Sequence, residues 1–85
     1  MASIRLNLED GIWQEITNKS FVGQKKSAMT SVEMCTASSL PIGDVVGSFV
    51  INDDEMVKYN ADLNGLMWYV RAIYNSAKFT YLEVE

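Results

Sequence analysis

The sequence predicts an all-β fold: a small single-domain β-sandwich or β-barrel of about seven or eight short antiparallel strands. Three observations carry this. Apolar residues recur at every second position through most of the 85-residue chain. Short clusters of Gly, Asn, Asp and Ser interrupt these runs at intervals of about 8–12 residues. The runs themselves are rich in β-branched and aromatic side chains, which fit a pleated, half-buried surface.

Each element follows from its own pattern. In SIRLNL (3–8), Ile4, Leu6 and Leu8 share one face, and Arg5 and Asn7 the other. Residues 1–8 are therefore expected to form an N-terminal docking arm or an edge strand of a single domain spanning 1–85. Glu9-Asp10-Gly11 makes a turn. GIWQEIT (11–17) reads as a second strand, with Ile12, Gln14 and Ile16 against Trp13, Glu15 and Thr17. NKSFVGQKKSAMT (18–30) reads as a loop holding a short strand at Phe21-Val22. SVEMCTAS (31–38) alternates Val32, Met34 and Thr36 against Glu33, Cys35 and Ala37.

SSLPIGD (38–44) is a connection, and VVGSFVIN (45–52) predicts a buried β-branched strand. A polar turn at 52–55 leads into a short strand, MVKYNA (56–61). Asp62-Leu63-Asn64-Gly65 is a turn in which Gly65 can supply a positive φ. LMWYVRAIY and KFTYLEV then form an expected hairpin around Asn75-Ser76. Leu63, Leu66, Met67, Val70 and Tyr74 also sit at helix-like spacing, but Gly65 and the Trp-Tyr-Val run favour the strand.

Composition narrows the function. The chain carries 7 Lys and Arg against 11 Asp and Glu, a net charge of −4. This balance argues against a phosphate-binding surface, so no nucleic-acid partner is expected. The pair Lys25-Lys26 reads as a solvated turn. No apolar run reaches the ~20 residues of a membrane span, and MASIRLNLEDG has no leader-like apolar region. The single cysteine, Cys35, rules out an intramolecular disulfide, and histidine is absent. Good packing or oligomerisation must then stabilise a core of this size.

The same absences weigh against an enzyme, because the commonest general base and any Ser-His or Cys-His pair are missing. Cys35 reads as a buried, inert thiol. Asp53, Asp54 and Glu55 could hold a hard cation, but they lack the alternating ligands of a calcium loop and read as a charged turn. No metal and no cofactor is expected. Trp13, Trp68, Tyr69, Tyr74, Phe79 and Tyr81 could form an aromatic platform for sugars, or else serve as core and interface anchors. In LMWYVRA, Leu66, Trp68 and Val70 share one face, and Met67, Tyr69 and Arg71 the other. A strand apolar on both faces is buried on two sides or meets another subunit there. Arg71 on such a face calls for a carboxylate or several carbonyl oxygens, with Glu83 and Glu15 the first candidates.

The order of several motifs resembles a known group. These are Trp13-Gln14-Glu15-Ile16-Thr17, the small-residue stretch 36–41 ending in Pro41, Gly47-Ser48-Phe49-Val50-Ile51, and Gly65-Leu66-Met67-Trp68-Tyr69-Val70-Arg71-Ala72. Leu82-Glu83-Val84-Glu85 closes the series on an acidic residue. Over roughly residues 11–85 the chain resembles the short, acidic, all-β virion proteins of tailed bacteriophages, most specifically in its Tyr-Val-Arg-Ala segment. The resemblance implies a capsid decoration (cement) protein or a tail, baseplate or fibre module that binds a host receptor or carbohydrate. It further implies a virion location after synthesis in the bacterial cytoplasm. The implied partners are the major capsid protein or other virion proteins, and a homo-oligomer, a trimer ahead of a dimer. Trp68, Tyr69, Arg71, Trp13, Ile4 and Leu6 are the expected interface residues.

Overall fold

The computed structural model describes residues 3–26, 30–52, 55–73 and 75–84. Eight strands follow in order: β1 (Ile4–Leu8), β2 (Gln14–Glu15), β3 (Phe21–Lys25), β4 (Ser31–Ala37), β5 (Phe49–Ile51), β6 (Val57–Tyr59), β7 (Met67–Ile73) and β8 (Ala77–Glu83). They form two antiparallel four-stranded sheets, ordered β1-β8-β3-β6 and β2-β7-β4-β5. The arrangement is sandwich-like, the first of the two all-β architectures that the sequence predicts.

Period-two patterning aims one face of each sheet at the other. Leu8, Phe21 and Phe79 from the first sheet meet Val32, Met34 and Val70 from the second, and all six are at most 1% exposed. Aromatic rings extend this core to the β5–β6 side. Tyr59 stacks on Phe21 at 5.0 Å, Trp68 meets Tyr59 at 5.5 Å, and Phe49 lies 6.1 Å from Trp68. The Trp68 indole Nε1 donates to the Asn60 carbonyl at 2.9 Å, which ties β7 to the end of β6. At the turn before β7, Gly65 adopts φ 78° and its N–H donates to the Asp62 carbonyl at 3.0 Å.

The chain ending differs from the expected hairpin. Strand β7 is flanked by β2 and β4, and β8 by β1 and β3, so the two lie in opposite sheets. The link that holds Asn75 and Ser76 is an arch between layers. A hairpin would set the apolar faces of both strands on one side. The arch instead opposes them, so Val70 and Ala72 face Ala77 and Phe79 across one core.

Other departures have equally local causes. Only Gln14–Glu15 of GIWQEIT pairs as a strand, and Ile12 is 53% exposed where alternation would bury it. The backbone stays close to β7, since the Ile16 N–H donates to Trp68 and the Trp68 N–H to Thr17. Of VVGSFVIN, only Phe49–Ile51 is strand, and it is an exposed edge. The Ser48 N–H turns back to the Val45 carbonyl at 3.3 Å, leaving Val46 fully exposed. In NKSFVGQKKSAMT, the strand is five residues long and central, with β8 on one side and β6 on the other. Lys25 is not in a solvated turn. It ends β3 on the inward side, opposite Phe79, at 3% exposure, while Lys26 is exposed.

Residues 4–8 form the edge strand β1, in register with β8 from Ile4↔Tyr81 to Leu8↔Ala77. Asp53, Asp54 and Tyr74 lie outside the described residues.

Candidate functional site

The outer face of the second sheet holds a connected polar arrangement centred on Arg71. It starts from two single charges, each set in an apolar strand: Glu33 between Val32 and Met34, and Arg71 between Val70 and Ala72. Strands β4 and β7 pair so that Glu33 and Arg71 are direct cross-strand partners. The Arg71 Nε donates to Glu33 Oε1 at 2.6 Å, and Nη2 lies 2.5 Å from the same oxygen. The other Glu33 oxygen accepts from the Ser48 hydroxyl.

Arg71 also reaches the connection between β4 and β5. Its Nη1 donates to the Gly43 carbonyl at 3.1 Å and its Nη2 to Asp44 Oδ1 at 2.9 Å. The guanidinium carbon lies 4.6 Å from the centroid of the Trp13 ring, within cation–π range. The Trp13 Nε1 donates to the same Gly43 carbonyl at 2.8 Å. Burial works against the Arg71 charge, but the hydrogen bonds and charges of Asp44 and Glu33 outweigh it and raise its pKa above the ordinary value.

These contacts pin the β4–β5 connection at Gly43, Asp44 and Ser48 across the outer face of the sheet. Beneath them lies a second small core of Trp13, Cys35 and Tyr69, with Ala37, Val45 and Met67 packed against it. Strand β7 is thus covered on both faces, as its two apolar faces require, and its own chain supplies the cover. Burial first, then Glu33, raises the Cys35 thiol pKa, with Arg71 opposing. A buried thiol held protonated suits the inert role the sequence suggests.

The pinned segment has a second consequence. Val45 turns inward, while Leu40 is 58%, Ile42 95% and Val46 102% exposed. Large aliphatic side chains are therefore held out in water by a loop fixed at its base. The neighbouring strand β5 adds to this, since Val50, in register with Glu33, is 50% exposed.

The expected interface residues separate into three places. Trp13, Tyr69 and Arg71 come together under and around the pinned loop, and Trp13 and Tyr69 are each 4% exposed. Trp68 belongs to the aromatic cluster between the sheets. Ile4, 42% exposed, and the half-buried Leu6 lie on the β1 edge of the first sheet. The carboxylates expected to meet Arg71 are elsewhere. Glu83 lies in the opposite sheet and accepts from the Thr17 hydroxyl at 2.6 Å, and Glu15 is in register with Tyr69. Glu33 was legible as the mirror image of Arg71, a lone charge in an apolar strand. Nothing in the sequence marked Gly43 or Asp44.

Among the described residues, no three metal-ligating side chains gather in one place. No family model, curated protein or solved structure matches the chain.

Proposed function

We propose that this chain is a bacteriophage virion structural protein, a capsid decoration (cement) protein. It binds the outer capsid surface as a symmetric oligomer, a trimer ahead of a dimer, and bridges neighbouring capsid subunits. The observation that carries the reading is the pinned loop that holds Ile42 and Val46 almost wholly in solvent. Covering one such side chain is worth about 1.5–3 kcal/mol, so an isolated chain gains nothing from displaying them and a docked one does. The resemblance over residues 11–85 supplies the partner class.

The mechanism is clamping. Each copy buries its loop against the capsid, and a closed oligomer repeats the contact, so separation of the capsid subunits must break several contacts together. A fibre tip that recognises carbohydrate would instead need aromatic faces open to solvent. Trp13, Tyr69, Phe79 and Tyr81 are buried, and among the described residues Phe49 is the one exposed aromatic.

Light scattering of the purified protein, with co-sedimentation on assembled phage capsids, tests the proposal. A discrete oligomer that sediments with capsids is the expected result. A stable monomer that ignores capsids overturns it and moves the assignment to a tail or receptor-binding module.

A further inference from the structure

We propose that the outer face of the first sheet docks a short acidic segment of a partner protein, an extended stretch whose carboxylates flank an apolar side chain. The inference deepens the assembly reading and rests on it.

The charges of the chain are segregated. Four of its seven basic residues, Arg5, Lys26, Lys58 and Lys78, fall on outward positions of the first sheet or directly beside one. The one acidic residue within these four strands, Glu83, has inward register. In a chain of net charge −4, the outward strand positions of this sheet thus carry basic side chains and no acidic one.

The strand register sets these residues in rows. Asn7 and Lys78 are partners, and the Lys26 N–H donates to the Lys78 carbonyl at 2.8 Å, which places Lys26, just past the end of β3, beside Lys78 on β8. Arg5, Thr80 and Gln24 form the next row, and Leu82, Val22 and Lys58 the one after.

Two adjoining cavities cover this surface. The first, of about 390 Å³, is bordered by Arg5, Lys26 and Lys78, with Asn7 and Thr80 as further hydrogen-bonding groups. The second, of about 370 Å³, shares Arg5, Lys26 and Thr80 and continues over Val22, Met56 and Leu82. A cationic end thus passes into an aliphatic one.

The mixture selects the partner. A nucleic acid would engage the cations through phosphates but offers no aliphatic group for Val22, Met56 and Leu82. A peptide strand carrying Glu or Asp on either side of Val or Leu satisfies both ends. Charge complementarity of this kind sets partner choice and association rate, and it weakens with salt.

Fluorescence anisotropy with a labelled Glu-Val-Glu-Leu-Glu peptide tests this, beside a Glu-Ser-Glu-Ser-Glu peptide and a short single-stranded oligonucleotide. The Val/Leu peptide is expected to bind best and to weaken as sodium chloride rises. Lys26→Glu with Lys78→Glu should weaken it about tenfold or more. The neutral pair Lys26→Gln with Lys78→Gln should give an intermediate loss, with near-UV circular dichroism unchanged in both. Equal binding by the charge-reversed variant, or preference for the oligonucleotide, overturns the proposal. So does an unliganded oligomer that the charge reversal converts to monomer, because a second copy would then cover this face. Capsid co-sedimentation left intact by the charge reversal overturns this surface alone and leaves the assembly reading standing.

Discussion

Arg71 on β7 and Glu33 on β4 face each other across the ladder and form an ion pair of 2.5 Å, each side chain little more than a tenth exposed. The pair does two things. It neutralises two charges on a face otherwise built from Trp13, Cys35 and Tyr69. It also anchors the connection whose apolar side chains stand in solvent.

Removing the guanidinium should therefore loosen the loop and leave the sandwich in place. For Arg71→Ala the expected loss is about 2–3 kcal/mol, since the Glu33 carboxylate stays behind without its partner. In a domain of this size that lowers Tm by about 10–20 °C, while the β-sheet circular dichroism persists at low temperature. Asp44→Ala should leave Tm nearly unchanged, because the Asp44 side chain is fully exposed. Thermal melts of the two variants check the contrast. Loss of the β-sheet spectrum in Arg71→Ala would mean that Arg71 holds the core itself.

Gly23 is central to β3, and a Cβ built there would lie 2.5 Å from Cζ of the fully buried Phe79. Gly23→Ala should thus push the Phe79 ring off its place and cost about 1–3 kcal/mol. Urea unfolding measures this as a lower midpoint at unchanged slope. A midpoint equal to that of the wild type would mean that the ring shifts freely.

Alkaline pH should destabilise the fold. Burial raises the pKa of Tyr81, with Glu83 and Glu15 adding to it, and likewise that of Tyr69, with Glu15 and Cys35 adding. The Cys35 thiol is raised in the same sense, by burial ahead of Glu33. All three are acids whose neutral form the fold prefers. The unfolded chain ionises first, near the ordinary values of 9.0 for the thiol and 10.0 for the phenols. Their contribution is full below those values and is lost as pH rises through the higher folded ones. The urea midpoint should hold steady from neutral pH to about 9 and fall beyond. In Tyr81→Phe, which leaves the Ile16 carbonyl without the phenol donor it has at 3.0 Å, the fold should lose about 1 kcal/mol and part of this pH dependence.

The sequence was most informative where one physical rule acts alone. Strands β1, β4 and β8 follow from alternation, because one face of each must be buried and a one-residue slip would expose it; β7 follows from its aromatic and β-branched run, apolar on both faces. The turn at Gly65 follows from conformational freedom. Pairing was less legible. Asn75 and Ser76 suit a short link of either kind, and the choice of an arch depends on which strands flank β7 and β8 in space. The strand predicted at VVGSFVIN reflects β-branched propensity, which marks a fit to a pleated surface and not burial. In the site, Arg71 announced its need for a carboxylate. Register alone decided for Glu33 over Glu15 and Glu83.

In the proposed assembly, the outward side chains Ile42 and Val46 of the β4–β5 connection serve a partner, while Val45 serves the fold. The double variant Ile42→Ser with Val46→Ser tests this directly, read by thermal melting of the free protein and by co-sedimentation with capsids. The expected result is an unchanged melt, because both side chains are almost fully solvated, together with lost sedimentation. Full retention on capsids would contradict it, and so would a large drop in Tm, which would place Ile42 and Val46 in the subunit's own packing.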